Sequence, residues 1–503
     1  MDGPNILFVV WDACRLDVAR NEAPTLLSLG DSNLWFENAV APAPWTIPSH
    51  MSMFTGQYAH QHQCYTHSHQ LDPSPLLDEL CGDGYTCYGV SGNGFLSYGT
   101  GFADPFDEFE YTGSKYRLRP EGIGVDQYLV RYARANPDAT RADRYRALAD
   151  AIVGHEHPLQ SAVNAGSAVA DKVFGGFEFL QSRHPVFTPN DSYSYDSSDN
   201  TSHIERVLER EATTSDPFFI FTNYMNTHRP YFPPEKWQRE YLGRTLPYDR
   251  IRQLNETAAH PWQYIRQLLA DELDDGDVET IRQLYAATVR SADEQLGRLL
   301  DALERHGLRE DTLVVVTADH GENIGETDRA GRTRMGHEAS MSEDVLRVPL
   351  VVAHPELDAR SVTELFSLKE LYTLFTDRRA SVTDGSAMPI TDLITDKVVE
   401  SQYPALNDEE TMAGKYPDIP EEIRKQRSTY HAVAGYHDDV SVEFSSGGDR
   451  YAWQGDDETD IEDAPTVVVE RCDDHLETLI GTTENDGALS EEERDHLEAL
   501  GYL

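Results

Sequence analysis

Residues 311–321 read DTLVVVTADHG. The apolar run at 313–317 shows no alternation of polar and apolar positions, so it reads as a strand covered on both faces, as in a parallel sheet. Just upstream, Ile281, Leu284, Tyr285, Val289, Ala292, Leu296, Leu299, Leu300 and Leu303 recur at helical spacing over 277 to about 306, and Gly307 stops the pattern. A long helix that leads straight into a buried strand is a sheet-covering crossover. Short apolar runs at 6–10, 87–90, 218–222 and 349–353 repeat the signal. The expected fold is α/β around a mostly parallel central sheet.

Outward from that core, residues 112–215 are richer in Tyr, Arg, Ser and Asp, with helical stretches and the loop-like TPNDSYSYDSSDNTS at 188–202. They read as an insertion able to roof a site. After about residue 380 the chain becomes acidic, with strand-like YHAVAGYHDDVSVEF, DRYAWQ and PTVVVER, then SEEERDHLEALGYL. This predicts a smaller antiparallel sheet and a last helix capped by Ser490 and Glu493. The expected division is a catalytic unit over 1–380 and a C-terminal α+β subdomain over 381–503. No internal repeat is visible.

The chain has 503 residues, with 42 Lys and Arg against 88 Asp and Glu, a formal net charge of -46. Such a surface repels nucleic acid and anionic membranes, so neither is expected as a partner. Only seven of the basic residues are lysines, and acids recur throughout, as in DELDDGD (271–277) and GDDETDIED (455–463). An excess spread over the whole chain points to adaptation to high salt, where the repulsion is screened. The start, MDGPNILFVVWD, has no basic segment and only a short apolar run, so neither a signal peptide nor a membrane span is expected, and a cytoplasmic location follows. Cys14, Cys64, Cys81, Cys87 and Cys472 contain no CxxC pair, and their odd number argues against a disulfide framework or a zinc knuckle. Buried reduced thiols are expected.

Ligands of open parallel sheets bind beyond the carboxyl ends of the strands. There stand Asp12, Asp319-His320, Asn226-Thr227-His228 and Ser91-Gly92-Asn93. Asp12, Asp319 and His320 suit a divalent metal that keeps an open position, although an Asp after a strand also commonly caps a helix. In APWTIPSHMSMFTG (43–56), Pro48 fits the first turn of a helix running to about Phe54, with Gly56 just past its end. Thr46 then lies at the helix entrance, where free N–H groups attract an anion and favour an ionised hydroxyl. A threonine hydroxyl needs a metal or base to become a nucleophile. His228 and His337 are the expected proton-transfer groups, and His50, Asn93 and Arg15 the expected substrate contacts. The cluster AHQHQCYTHSH holds His60, His62, His67 and His69 without regular metal spacing and reads as loop, and Asp293 reads as structural.

PNILFVVWDACRLD, APWTIPSHMSMFTGQYAH, DTLVVVTADHGE, RVPLVVAH and the terminal LEALGYL together resemble the sulfatase family of the alkaline phosphatase superfamily, the first four spanning about three quarters of the chain. The resemblance implies an α/β sandwich, one divalent metal (Mn, Zn, Ca or Mg) at the strand ends, a nucleophile bound to it, and in-line displacement at sulfur or phosphorus. By position, Asp12, Asp319, His320 and Thr46 correspond to metal ligands, Thr46 to the nucleophile and His228 to a family histidine. The departures also bear on function. Family sulfatases carry Cys or Ser within C/S-x-P-S/A-R for conversion to formylglycine, whereas this chain reads Thr46-Ile47-Pro48-Ser49-His50, so formylglycine is not expected. Asp12-Ala13 replaces a pair of aspartates, Asp319-His320 an Asp-Asn, Gly92-Asn93-Gly94 a Lys-x-His clamp, and His337 a clamp lysine. A threonine nucleophile with Asp and His ligands is similar instead to phosphodiesterases, phosphonate hydrolases and phosphoglycerol transferases of the superfamily. The expected activity is metal-dependent hydrolysis of sulfate or related phosphate or phosphonate esters, with an anionic small molecule or glycan ester as substrate. The alternatives are a phosphodiesterase, a phosphoglycerol-type transferase, or a catalytically silent anion-binding member.

Overall fold

The computed structural model describes residues 3–65, 69, 71–113, 119, 121–174, 197–378, 397–405, 409–428 and 430–483. The first four strands are β1 (Asn5–Trp11), β2 (Leu34–Val40), β3 (Thr86–Ser91) and β4 (Glu108–Tyr111). They are followed by β5 (Phe218–Tyr224), β6 (Thr312–Ala318), a small hairpin β7 (Ile324–Thr327) and β8 (Thr333–Met335), then β9 (Leu350–Ala353) and β10 (Arg360–Ser367). Eight of these form one sheet in the order β10-β2-β9-β6-β1-β5-β3-β4. Every neighbouring pair is parallel except those made by β9, which runs antiparallel to both β2 and β6.

The central strands follow from their composition. All residues of β5 and β6 are buried, as are those of β1 from Ile6 onward, because helices cover both faces. The Asp275–His306 helix is capped by the Asp274 side chain and ends on Gly307 at φ +68°, as its periodicity predicts. Asp293 on that helix is structural: its two oxygens accept from Thr25 N and Leu26 N at 3.0 and 2.9 Å.

The strand expected at 349–353 forms, but reversed. Its apolar run reports burial on two faces, which an antiparallel strand inside a large sheet shares, so direction was not encoded in it. The insertion is helical where described, at Val125–Ala135, Arg141–Gly154, Pro158–Phe174 and Ser198–Glu211. Ser198 to Ser202 thus belong to a helix rather than to the expected loop, and residues 188–196 lie outside the described residues.

The C-terminal sheet has the order β11 (Val399–Tyr403), β12 (Ala432–His437), β13 (Val440–Ser445), β14 (Arg450–Gln454) and β15 (Asp457–Thr459), all antiparallel. PTVVVER is not a strand. It opens the Thr466–Thr483 helix, whose buried Val468, Cys472, Leu476 and Leu479 recur at i, i+4, i+8 and i+11 and close a small core with Val433, Val442 and Phe444. The helix expected around Ser490 and Glu493 lies outside the described residues. No helix among the described residues is long and apolar enough to cross a membrane.

Candidate active site

Strand register assembles the site. Trp11 stands opposite both Tyr224 of β5 and Ala318 of β6, while Ser91 of β3 stands opposite Asn223. The residues that follow, Asp12, Asp319-His320 and Asn93, therefore leave the sheet on one rim although they are far apart in sequence. Ala13 turns the chain sharply at φ +59°, with its N–H donating to Asp319 Oδ1 at 3.0 Å and its carbonyl accepting from Tyr285 Oη at 2.8 Å.

Asp12, Asp319 and His320 each turn onto this rim one atom that has no hydrogen-bond partner among the described residues. Asp12 Oδ2 accepts from Asn93 Nδ2 at 2.7 Å and Asn223 Nδ2 at 3.3 Å, and Asp319 Oδ1 accepts from the N–H groups of Ala13 and His320 at 3.0 and 2.9 Å. The His320 Nδ1–H donates to the Gly321 carbonyl at 2.8 Å, which leaves the Nε2 lone pair directed elsewhere. Asp12 Oδ1, Asp319 Oδ2 and His320 Nε2 are all buried and unsatisfied, and one ligand atom from each of the three residues lies within 4.8 Å of the others. Buried polar atoms without partners are costly, and each donor here is held from behind by a second hydrogen bond, as metal ligands are. The set fits a divalent cation with an open position. Without such a cation the carboxylates oppose each other. Burial and then Asp12 push Asp319 well above the usual range, whereas at Asp12 burial is outweighed by His228, His320, His50 and the Asn93 amide, which hold it below.

Against this rim starts the Thr46–Thr55 helix, with Trp45 extended before it and Gly56 after it at φ +70°. Its first turn is fastened to β6: Ser49 Oγ donates to the Asp319 carbonyl at 2.7 Å, and His50 Nδ1 lies 3.5 Å from Asp319 Oδ2. The start of the helix, with the buried Thr46, and the Asp319 carboxylate are thus neighbours. The His50 ring bonds the Thr46 carbonyl at 2.9 Å and stands edge-on to Phe221 and Phe102. It braces the helix from inside the core.

His228 and His337 face each other with ring centroids 5.6 Å apart, and His337 is 4.4 Å from His320. Burial holds His228 at about 4 and His337 at about 3, so both are neutral at neutral pH. Like the buried His50, the other two expected substrate contacts are committed to other work. Arg15 spends all five guanidinium N–H groups on Asp17, Glu326, Asp344 and the Glu322 carbonyl, which leaves no donor for a substrate. Asn93 donates to Asp12 and accepts from Phe95 N at 2.8 Å, so it positions the Asp12 carboxylate. Of the histidine cluster, His62 bonds Ser52 Oγ and Cys64 N, His60 bonds Gln402, and His67 lies outside the described residues.

The sequence reading passed over three residues. Asn223 braces Asp12 from the middle of the rim. Glu322 is buried, pushed up to about 7 by that burial, and bonds His337 Nδ1 at 3.2 Å; its place two residues after His320 in DHGE was the available signal. Arg229 follows His228, its charge acts on His228, Glu322 and His337, and its buried Nε has no hydrogen-bond partner. In a chain where most site cations are paired, that arginine is free among the described residues.

A largely parallel α/β sheet whose rim gathers two carboxylates and an imidazole beside a hydroxyl-bearing helix start is the frame of a sulfuric or phosphoric ester hydrolase. The family model described as sulfatase matches residues 4–376, and the chain belongs to the sulfatase family. Its relatives include the multifunctional alkaline phosphatase superfamily protein PehA of Trinickia caryophylli, 24% identical over 401 residues, 70% of this chain and 68% of that protein. Human iduronate 2-sulfatase is 32% identical over 141 residues, 25% of this chain and 26% of its own length. The phosphonate monoester hydrolase of Agrobacterium radiobacter shares the fold with a TM-score of 0.59 at 16% identity, covering 97% of this chain and 98% of that one.

Proposed function

We propose that the chain is a metal-dependent hydrolase of sulfate or related phosphate or phosphonate esters in which Thr46 is the nucleophile. The observation that carries this reading is the convergence of Asp12 Oδ1, Asp319 Oδ2 and His320 Nε2, all buried and unpartnered, beside the first turn of the Thr46 helix. Asp12, Asp319 and His320 would hold the cation, with Thr46 completing the set. When bound, a divalent cation supplies a lower pKa for a neighbouring hydroxyl and takes up charge on oxygen.

The remaining steps belong to the protein. Thr46 Oγ, its proton released to solvent, forms a bond to sulfur or phosphorus as the bond to the ester oxygen breaks, and the departing oxygen takes a proton from His228 or His337. Because both imidazoles are neutral in the free enzyme, the one that protonates the leaving oxygen takes up its proton from solvent when the anionic ester binds, as a nearby negative charge favours the cation. Water then cleaves the Thr46 ester and restores the hydroxyl. The helix N–H groups and Arg229 are the groups available to bear the non-bridging oxygens. With His337 where the family has a lysine, the site carries little positive charge. This favours singly charged phosphonate and phosphodiester substrates over dianionic phosphate monoesters.

An aryl sulfate, a phosphate monoester, a diester and a phosphonate, assayed side by side at high salt with Mn²⁺, Zn²⁺, Mg²⁺ or Ca²⁺, test the reading. Thr46→Ala is expected to abolish turnover of every ester cleaved by the wild type; near-normal rates would remove Thr46 from the chemistry. Elemental analysis of an Asp319→Asn, His320→Ala double variant is expected to show loss of the bound metal, and an unchanged content would refute the ligand set.

A further inference from the structure

A second convergence of ligand atoms lies at the opposite rim of the sheet. Cys81 sits in the last turn of the Ser74–Gly82 helix, Cys87 near the start of β3, and Asp107 just before β4. The two sulfurs are 3.5 Å apart, and Asp107 Oδ2 is 3.9 Å from Cys81 Sγ. One ligand atom from each of the three residues lies within 4.8 Å of the others. Asp107 is tied to Cys87 by two bonds, one to its carboxylate and one from its backbone: the Cys87 N–H donates to Asp107 Oδ2 at 2.8 Å, and the Cys87 carbonyl accepts from Asp107 N at 3.0 Å. Cys87 is buried while Cys81 and Asp107 are exposed, so solvent reaches one side of the cluster.

We propose that Cys81, Cys87 and Asp107 form a binding site for a thiophilic divalent cation, of which Zn²⁺ is the type, with water in the fourth position. Distances favour this over a disulfide. With Zn–S near about 2.3 Å and Zn–O near about 2.1 Å, a tetrahedral ion sets its sulfurs about 3.8 Å apart and sulfur about 3.6 Å from oxygen. The observed spacings need shifts of only a few tenths of an ångström, whereas a disulfide needs the sulfurs at about 2.0 Å. The carboxylate beside Cys81 disfavours a bare thiolate, which slows disulfide exchange, but it completes a donor set once a cation is present. Binding replaces two thiol protons, released to solvent, by two metal–sulfur bonds. Five residues separate the two cysteines, so no short CxxC spacing announces the site; the turn between helix and strand brings them together.

Cobalt separates this site from the first, whose ligands are oxygen and nitrogen. The full chain, kept reduced and titrated with Co²⁺, is expected to develop one saturable sulfur-to-cobalt charge-transfer absorption that Zn²⁺ abolishes. Cys81→Ser, at an exposed position that leaves the core untouched, is expected to lose the band while keeping the wild-type circular dichroism. Asp107→Asn, which retains both thiols, is expected to bind Co²⁺ at least tenfold more weakly. Absence of the band in wild type at excess cobalt overturns the proposal, as does a band that survives in Cys81→Ser or an affinity unchanged in Asp107→Asn.

Discussion

Arg229 carries the sharpest single-residue expectation. Its charge acts on His228, Glu322 and His337 and makes no ion pair among the described residues, while Arg15, on the same rim, is saturated by three carboxylates and a carbonyl. A charge-assisted hydrogen bond contributes about 1.5–3 kcal/mol, so Arg229→Gln should lower kcat/KM about ten- to hundredfold while metal content stays at the wild-type level. The readout is the ratio between substrates: a larger fall for a dianionic phosphate than for a singly charged aryl sulfate marks contact with the extra charge, and equal falls refute it. The sequence made Asp12, Asp319 and His320 visible because strand ends are where an α/β sheet presents ligands. It gave no such help with Arg15 and Asn93, whose roles depend on which neighbours consume their hydrogen-bonding groups, or with Arg229, which is conspicuous only for having none.

At the scale of elements, the Thr46–Thr55 helix must be held against the sheet, and Phe54 packs it onto β1 and β5. Its ring lies 5.1 Å from Phe102, 5.2 Å from Phe221 and 6.4 Å from Phe8. Phe54→Ala should cost about 3–5 kcal/mol of stability, seen as a lower denaturant midpoint with an unchanged slope. A second constraint sits just past β6. A Cβ on Gly321 would lie 2.0 Å from the Asp344 carbonyl oxygen, and Gly321 N already donates to the Val345 carbonyl at 2.7 Å. Since backbone must shift to admit a methyl group, Gly321→Ala should displace His320 and weaken metal binding more than it lowers the melting temperature, which isothermal titration alongside calorimetry separates. The same scale shows why some elements were legible and others were not. β1, β3, β5 and β6 announce themselves by unbroken apolar runs. β2 and β10 were not found because they are only half buried, with patterns such as BiBiiBB and eeBeiiBB. The three consecutive valines in PTVVVER suggest a strand, yet the buried positions continue at helical spacing through Leu479, and that longer period decided the outcome.

For the whole molecule, two effects of protonation and charge act in opposite directions and can be separated. Burial holds His50, His228 and His260 at about 4 and His62 and His337 at about 3, whereas the unfolded chain titrates near about 6.5. Between those values the unfolded state binds more protons, so the metal-free protein should lose stability steadily from about pH 6.5 towards pH 4. Carboxyls raised by burial, Glu322 to about 7 and also Asp319, Asp293 and Asp344, act the other way, favouring the fold at acid pH and losing that contribution as pH rises through their folded values; the imidazoles, seven with His60 and His354, outnumber them. Acid also relieves the repulsion of a chain with net charge -46, so the histidine effect should stand alone only where salt already screens that repulsion. Salt is therefore the second variable. The screening length falls from about 10 Å at 0.1 M to about 3 Å at 1 M, and surface acids spread over the whole chain interact mainly across such distances. At pH 7.5 the melting temperature should climb steeply as KCl rises from 0.1 M to about 1 M, then flatten once neighbouring charges no longer sense each other. Stabilisation by exclusion of salt from the surface would instead grow with concentration through the molar range. A melting temperature that is flat below 1 M KCl, or that rises with one constant slope to saturation, would show that repulsion between the acids does not limit this fold.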